Sequence, residues 1–315
     1  MCYITIKKKK MNGLTNHVLM VRPYHFKKND QTALNNYYQS DIGLDFSTIN
    51  KLAISEFDEF VKVLIDNGIN VIVHQDNKKP ETPDSLFPNN WISFHHRHKV
   101  IIYPMFAENR RDERSSHVFD TLKKSGVNTK VIFDLTNYEN LNIFFEGTGS
   151  MVLDRVNKKL YASLSDRTHD SLILDFCKKM NYKPIIFSSF QTVNNKRLEI
   201  YHTNVMMSVG DKFAAVGLDS IDDVTERNMV LNELKNDNKE IISLTENQIE
   251  QFAGNMLLLK NNIQPILVMS TSAFKSLSKD QIIRFETYAK IVHSNLDTIE
   301  KAGGGSARCM LAEIF

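Results

Sequence analysis

The chain has 315 residues, with 39 basic and 37 acidic side chains for a formal charge of +2. At roughly 150 residues per domain this length allows one or two domains, and 42% hydrophobic with 24% charged residues excludes a globally disordered chain. Near-neutral charge gives no electrostatic reason to expect a nucleic-acid partner, and three scattered cysteines (Cys2, Cys177, Cys309) build neither a disulfide framework nor a zinc knuckle. A reducing, cytoplasmic setting fits.

The four lysines at 7–10 read as part of a solvated N-terminal tail over 1–14. No apolar run of ~18 residues follows, so neither a membrane span nor a secretory leader is expected, and no membrane partner. Residues 15–315 then read as one domain. It opens with a strand at 17–22, a helix at 55–67 and a strand at 69–74. A unit then repeats: a polar residue, an apolar strand, a short turn, a second strand, a helix, a third strand. Asn90 precedes strands at 91–94 and 100–104, a helix at 109–124 and a strand at 130–133. Glu146 precedes 151–153 and 160–162, a helix at 168–180 and a strand at 184–187. His202 precedes 205–209 and 213–216, a helix at 222–236 and a strand at 240–244. Asn255 precedes 256–259 and 266–268, a helix at 278–288 and a strand at 289–292. Cys309 precedes a strand at 310–315, where the sequence ends, so the strand at 17–22 is expected to complete this fifth unit. The expected fold class is α/β: a five-bladed α/β propeller of ββαβ repeats with pseudo-five-fold symmetry and no free sheet edge.

Successive repeat points are separated by 56, 56, 53 and 54 residues, and equivalent points of a propeller converge on its axis. They bring together Asn90, Glu146, His202, Asn255 and Cys309. A thiol, an imidazole and a carboxylate supply a nucleophile, a proton carrier and an orienting group. The run Gly303-Gly304-Gly305-Ser306-Ala307-Arg308 ahead of Cys309 lets backbone approach a ligand closely and offers amides to an anion. Asn255 reads as structural, holding a turn. His95-His96-Arg97-His98 alternates along a hairpin turn with no acidic or cysteine ligand nearby, so no metal is expected, and Cys177 reads as helix packing.

The run from Gly303 to Met310 resembles the nucleophile motif of the guanidine-modifying (pentein) superfamily, which includes arginine deiminases, dimethylarginine dimethylaminohydrolases, amidinotransferases and arginine dihydrolases. Phe145-Glu146-Gly147-Thr148-Gly149 is similar to its catalytic-acid motif and Tyr201-His202-Thr203-Asn204 to its histidine motif. Leu164-Ser165-Asp166-Arg167-Thr168 resembles a segment whose arginine holds the substrate α-carboxylate. Phe87-Pro88-Asn89-Asn90-Trp91 sits where relatives place a guanidine-binding aspartate.

The resemblance covers essentially the whole chain. It implies attack by Cys309 on a guanidine or ureido carbon, proton transfer by His202, and substrate holding by Glu146, with no cofactor. Substrate contacts are expected from Asn89, Asn90, Asn204 and Gly305. Arg167 is the expected carboxylate clamp, with Arg110 or Arg111 as second candidate. Asparagines at 89, 90 and 204, and Gly149 at the fourth position of the family's frequent Glu-Gly-Gly-Asp pattern, replace acids that would meet a cationic guanidinium. The reading this favours is hydrolysis of citrulline to ornithine, carbon dioxide and ammonia. The alternatives are arginine dihydrolase, which also uses asparagine near this point, arginine deiminase, dimethylarginine dimethylaminohydrolase, or a non-catalytic propeller binding module. The expected partner is a small amino-acid substrate, and a homodimer stays open.

Overall fold

The computed structural model describes residues 13–315; the lysines at 7–10 and Cys2 lie outside the described residues. Short apolar strands gather into five three-stranded sheets of one design, in which the middle strand has an antiparallel neighbour on one side and a parallel neighbour on the other. In chain order the first four sheets are Ile92–His95, Lys99–Ile102 and Lys130–Asp134; Val152–Asp154, Lys159–Leu164 and Lys183–Ser188; Met207–Val209, Phe213–Val216 and Glu240–Ser243; and Leu257–Lys260, Pro265–Ser270 and Lys290–Ser294. The fifth joins the two ends of the sequence: His17–Arg22 pairs parallel with Asn70–Gln75 and antiparallel with Ala312–Glu313, Leu19 opposite Ala312. The strand at 17–22 therefore completes the fifth unit, as its spacing led us to expect. Middle strands such as Phe213–Val216 are buried throughout, which suits their continuous apolar sequences.

Helices cover the sheets along apolar stripes. The longest, Phe46–Asp66, buries Ile49, Ala53, Phe57, Phe60 and Leu64 at three- and four-residue spacing. It starts well before residue 55 because the Asp45 side chain accepts from the Thr48 amide, satisfying a donor of the first turn. The helix expected over 109–124 is two helices, Glu108–Arg111 and Ser116–Lys124. Ser115 caps the second, and the buried Arg110 side chain turns back to pair with Glu113 across the break. Unexpected by periodicity is the hairpin Phe190–Val193 with Lys196–Glu199. Its turn residues Asn194 and Asn195 both have positive φ, a geometry asparagine tolerates and short hairpins require. The last strand is only Ala312–Glu313, because residues 306–311 wind into successive tight turns, Met310 N–H to Ala307 and Leu311 N–H to Arg308.

The first strands pack on one another: Val152–Asp154 against Met207–Val209, that against Leu257–Lys260, and Ala312–Glu313 against Ile92–His95. The residues that lead into these strands are thereby drawn into one place. No described helix is long and apolar enough to cross a membrane.

Candidate active site

Each repeat-point residue sits just before a first strand. Glu146 and His202 are each followed by a single helical turn, Gly147–Ser150 and Thr203–Met206, before the strand begins. That turn lifts the two side chains toward each other, and His202 Nε2 lies 2.8 Å from Glu146 Oε2. The second carboxylate oxygen accepts from the Phe106 amide at 2.8 Å. Arg167 Nη1 stands 3.6 Å from Oε2. Burial works to raise the Glu146 carboxyl, but Arg167, His202 and Arg110 outweigh it and hold the pKa at about 2. Burial draws His202 down to about 4 against the pull of Glu146. Near neutral pH the pair is thus a carboxylate accepting from a neutral imidazole's Nε2–H.

Gly149 makes this approach feasible. A methyl group there would stand 2.4 Å from Asn90 Nδ2 and 2.7 Å from His202 Nδ1, closer than atoms can pack.

Cys309 lies in the tight turn before the last strand, its amide bonded to the Ser306 carbonyl at 2.9 Å. Asn255 Nδ2 donates to its sulfur at 3.2 Å and Asn204 Nδ2 stands at 3.6 Å. Burial pushes the thiol above its ordinary value, against the Ser306 backbone and the asparagine amides. Upstream, Gly304 ends the helix Asp297–Gly303 in left-handed conformation, φ +62°, and a side chain there would strike Asn36.

Cys309, His202, Asn90, Arg110, Arg167 and Gly305 line one cavity with Asp84 and Tyr201. Its volume is about 10 Å³, room for about one water. Residues 29–39 cover it. Asn29 Nδ2 donates to Asp84 at 2.8 Å, Arg167 Nη2 donates to the Thr32 carbonyl at 2.8 Å and Arg167 Nε to Asn35 Oδ1 at 2.9 Å. Asn36 reaches the carbonyls of Gly303 and Gly304 at 3.3 and 3.2 Å.

The five repeat-point residues do come together, but three expected contacts are placed differently. Arg111 points away from the cavity to the Met105 carbonyl and Glu139, while its neighbour Arg110 enters it. On a helical turn consecutive side chains diverge, so only one of the pair can face inward. Asn89 is buried behind Asn90, accepting from its amide at 3.1 Å. Asn204 touches the sulfur rather than lining the cavity. Arg110 is engaged by Glu113 at 2.8 and 3.0 Å and by Asn90 Oδ1 at 2.8 Å. Nε and Nη2 of Arg167 are likewise hydrogen-bonded and Nη1 faces Glu146 at 3.6 Å, so the expected carboxylate clamp would have to exchange partners.

Sequence reasoning missed Asp84, Tyr201 and the thiol contact of Asn255. Asp84 Oδ1 is buried with no hydrogen-bond partner, a carboxylate oxygen left open beside the cavity. It falls in an aperiodic stretch, and its separation of six residues from Asn90 is the only signal the sequence carried. Tyr201 donates to the Gly304 carbonyl at 2.5 Å and lies 4.8 Å beneath the Arg167 guanidinium. Among the described residues no group of three His, Cys, Asp or Glu could hold a metal ion. His95 of the histidine-rich turn is buried against Ser93, while His96 is exposed.

The fold has known counterparts. The N-terminal domain of ArgZ, a cyanobacterial arginine dihydrolase crystallised with a covalently bound reaction intermediate, superposes with a TM-score of 0.70 at 15% identity, over 95% of this chain and 97% of that one. AgrE in complex with L-arginine gives 0.71 at 16% identity; this chain spans 40% of its length. A dimethylarginine dimethylaminohydrolase in adduct with S-methyl-L-thiocitrulline gives 0.61 at 14%, over 96% of this chain and all of that one. No curated protein matches the sequence significantly. The family described as eukaryotic N,N dimethylarginine dimethylhydrolase matches residues 22–315. The chain belongs to this family and is a hydrolase acting on carbon–nitrogen bonds of guanidino compounds.

Proposed function

We propose that the protein hydrolyses the guanidino group of free arginine through a covalent intermediate on Cys309, yielding ornithine, carbon dioxide and two molecules of ammonia with consumption of two waters. The observation that carries this reading is Asp84: a buried carboxylate that lines the same cavity as Cys309 and has one oxygen without a hydrogen-bond partner. An unpartnered anion in a dry pocket favours a cation over a neutral ureido group, and Glu146, bonded to the cavity-lining His202, is a second buried carboxylate close by. Together they favour arginine over citrulline as the first substrate, which is where this reading departs from the asparagine-based expectation. The chain's likeness to an arginine dihydrolase supports the same choice.

The chemistry follows from the protonation states. Thiol and imidazole are both neutral in the free enzyme, so the approaching guanidinium favours the thiolate by adding positive charge beside it. Sulfur adds to the guanidinium carbon as its proton passes to His202. His202 then protonates the departing nitrogen, ammonia leaves, and the same imidazole takes a proton from the water that hydrolyses the adduct. The product of this half is citrulline. Asn90, oriented by Arg110 and Asn89, offers amide chemistry suited to holding a neutral ureido group for a second round that releases ornithine.

The five sheets are read as five blades of a single domain from residue 15 to 315, the site at the end where the first strands begin. Since the closed cavity has room for about one water, residues 29–39 must lift for an amino acid to enter.

A second reading, hydrolysis of dimethylarginine to citrulline and dimethylamine, is favoured by the family that matches the chain. Incubation with arginine, citrulline and dimethylarginine separately, with assay of ornithine, citrulline, dimethylamine and ammonia, separates the readings. Arginine is expected to give ornithine and two equivalents of ammonia. Citrulline accumulating as end product from arginine, or turnover of dimethylarginine alone, overturns the dihydrolase reading.

A further inference from the structure

The hairpin turns at the opposite ends of the first strands surround a second, larger cavity of about 1110 Å³. Small-molecule sites typically occupy ~300–1,000 Å³, so this mouth is of ligand size. Its lining holds five cations and one acidic side chain in a chain whose formal charge is only +2. Arg97, Lys99 and Lys158 form no ion pair among the described residues, and Asp211 beside Lys212 is the single acidic side chain of the lining. Residues 1–12 contain four lysines and no carboxylate, so their sequence offers no counter-charge.

Arg155, the fifth cation, is 3.9 Å from Glu313 and stacks 4.0 Å over the Phe315 ring. The collective field registers on His95 at the floor: after burial, Arg155, Lys158 and Lys99 push its pKa well below the ordinary value. An array of cations that outnumbers its counter-charges attracts a multiply charged anion. The floor is different in kind. The Tyr288 ring is backed at 5.6 Å by the buried Phe213, and Phe315 presents a second partly exposed ring. Aromatic surface next to a ring of cations suits a ligand with a flat apolar part and a multiply charged part.

We propose that this mouth binds a nucleoside polyphosphate, with its phosphates on Arg97, Lys99, Lys158 and Lys212 and its base against Tyr288 and Phe315. The concave shape favours a small molecule over a polymer. None of these residues lines the cavity of Cys309, so the inference is independent of the substrate assigned there.

The test is fluorescence anisotropy of N-methylanthraniloyl-ATP on the full chain, with ATP, adenosine, tripolyphosphate and poly(U) as competitors. Saturable binding is expected, displaced by ATP, weakly by tripolyphosphate and not by adenosine. It should weaken several-fold as salt rises from about 50 to about 200 mM. The double variant Lys99→Glu/Lys158→Glu should lose binding about tenfold or more while retaining hydrolysis at the other end. The charge-matched control Lys51→Glu/Lys62→Glu, on the helix Phe46–Asp66, should bind normally. Absence of saturable binding up to about 1 mM, or equal loss in the control, overturns the proposal. Tripolyphosphate displacing as well as ATP removes the base from it, and poly(U) winning per phosphate replaces the small molecule with RNA.

Discussion

The two ends of the first strands handle charge in opposite ways. At the Cys309 end a cavity of about 10 Å³ is lined by Arg110 and Arg167, with Glu146 bonded to the lining His202, and all three charges are hydrogen-bonded to protein and almost fully buried. At the hairpin end an opening of about 1110 Å³ is ringed by cations, most without partners among the described residues. Water explains the contrast. A charge shut away from solvent must be paired internally, because its desolvation otherwise costs several kcal/mol, whereas a charge at an open mouth is hydrated and needs no partner. Substitution at the closed end should therefore disturb fold and chemistry together, and at the open end neither.

The largest effect tests that rule at its exception. Cys309 is a neutral thiol held by amides, so removing it leaves no buried charge unpaired. Cys309→Ala should abolish ammonia release, by on the order of 10⁴-fold or more, while changing the melting temperature little. Large destabilisation by this variant would mean that the nucleophile's turn, not the ion pairs, holds the closed end together.

Glu146→Gln should show both losses. It leaves Arg167 near a neutral amide and His202 without its anionic partner. We expect kcat/KM to fall by about 10²–10⁴ and stability by about 3–5 kcal/mol, read from turnover and urea unfolding. The pH dependence gives an independent handle. His202 is depressed to about 4 from an ordinary 6.5, so the unfolded chain binds a proton the folded one refuses, and stability falls as pH drops from 6.5 towards 4. Glu146 is depressed to about 2 from 4.5, so its contribution is present above 4.5 and is lost as pH falls through 2. The Glu146→Gln variant should lack the second decline.

Gly149→Ala is expected to be smaller but still to touch both properties. The added methyl cannot occupy its place without moving both Asn90 and His202, two side chains of the closed end. A fall of about 10² in kcat with about 1–3 kcal/mol of destabilisation is the expected result. Unchanged kcat would mean that the His202 position tolerates more displacement than its contacts suggest.

How much of this was legible in the sequence follows from which parts are periodic. Glu146, His202, Asn255 and Cys309 could be found because each precedes a first strand, and the 53–56-residue spacing carries that regularity directly. The cover over the cavity could not. Thr32 and Asn35 meet Arg167 across more than 130 positions, and Asn36 meets Gly303 across 267, with no local pattern announcing either. Asp84 is invisible for the same reason, and its omission made the site read as poorer in acid than it is. The hairpin Phe190–Val193 with Lys196–Glu199 was legible in principle, since paired asparagines are a strong turn signal.

Arg110 and Arg111 make the finest version of the comparison, one residue apart. Sequence could not separate them, because the helix they share lasts one turn and has no apolar stripe to orient it. The structure divides them by burial. Arg110 has about 2% of its side chain exposed and its loss would strand Glu113 in the interior. Arg111 is 27% exposed, and its partner Glu139 also accepts from Arg114, so the carboxylate keeps a cation when Arg111 is removed. Arg111→Ala should accordingly change stability by no more than about 1 kcal/mol and leave kcat and KM within about twofold. Urea unfolding and initial rates at several substrate concentrations check both values. A large rise in KM would place Arg111 on the substrate when residues 29–39 open, and would move the boundary between the closed cavity and its surroundings one residue further along the chain.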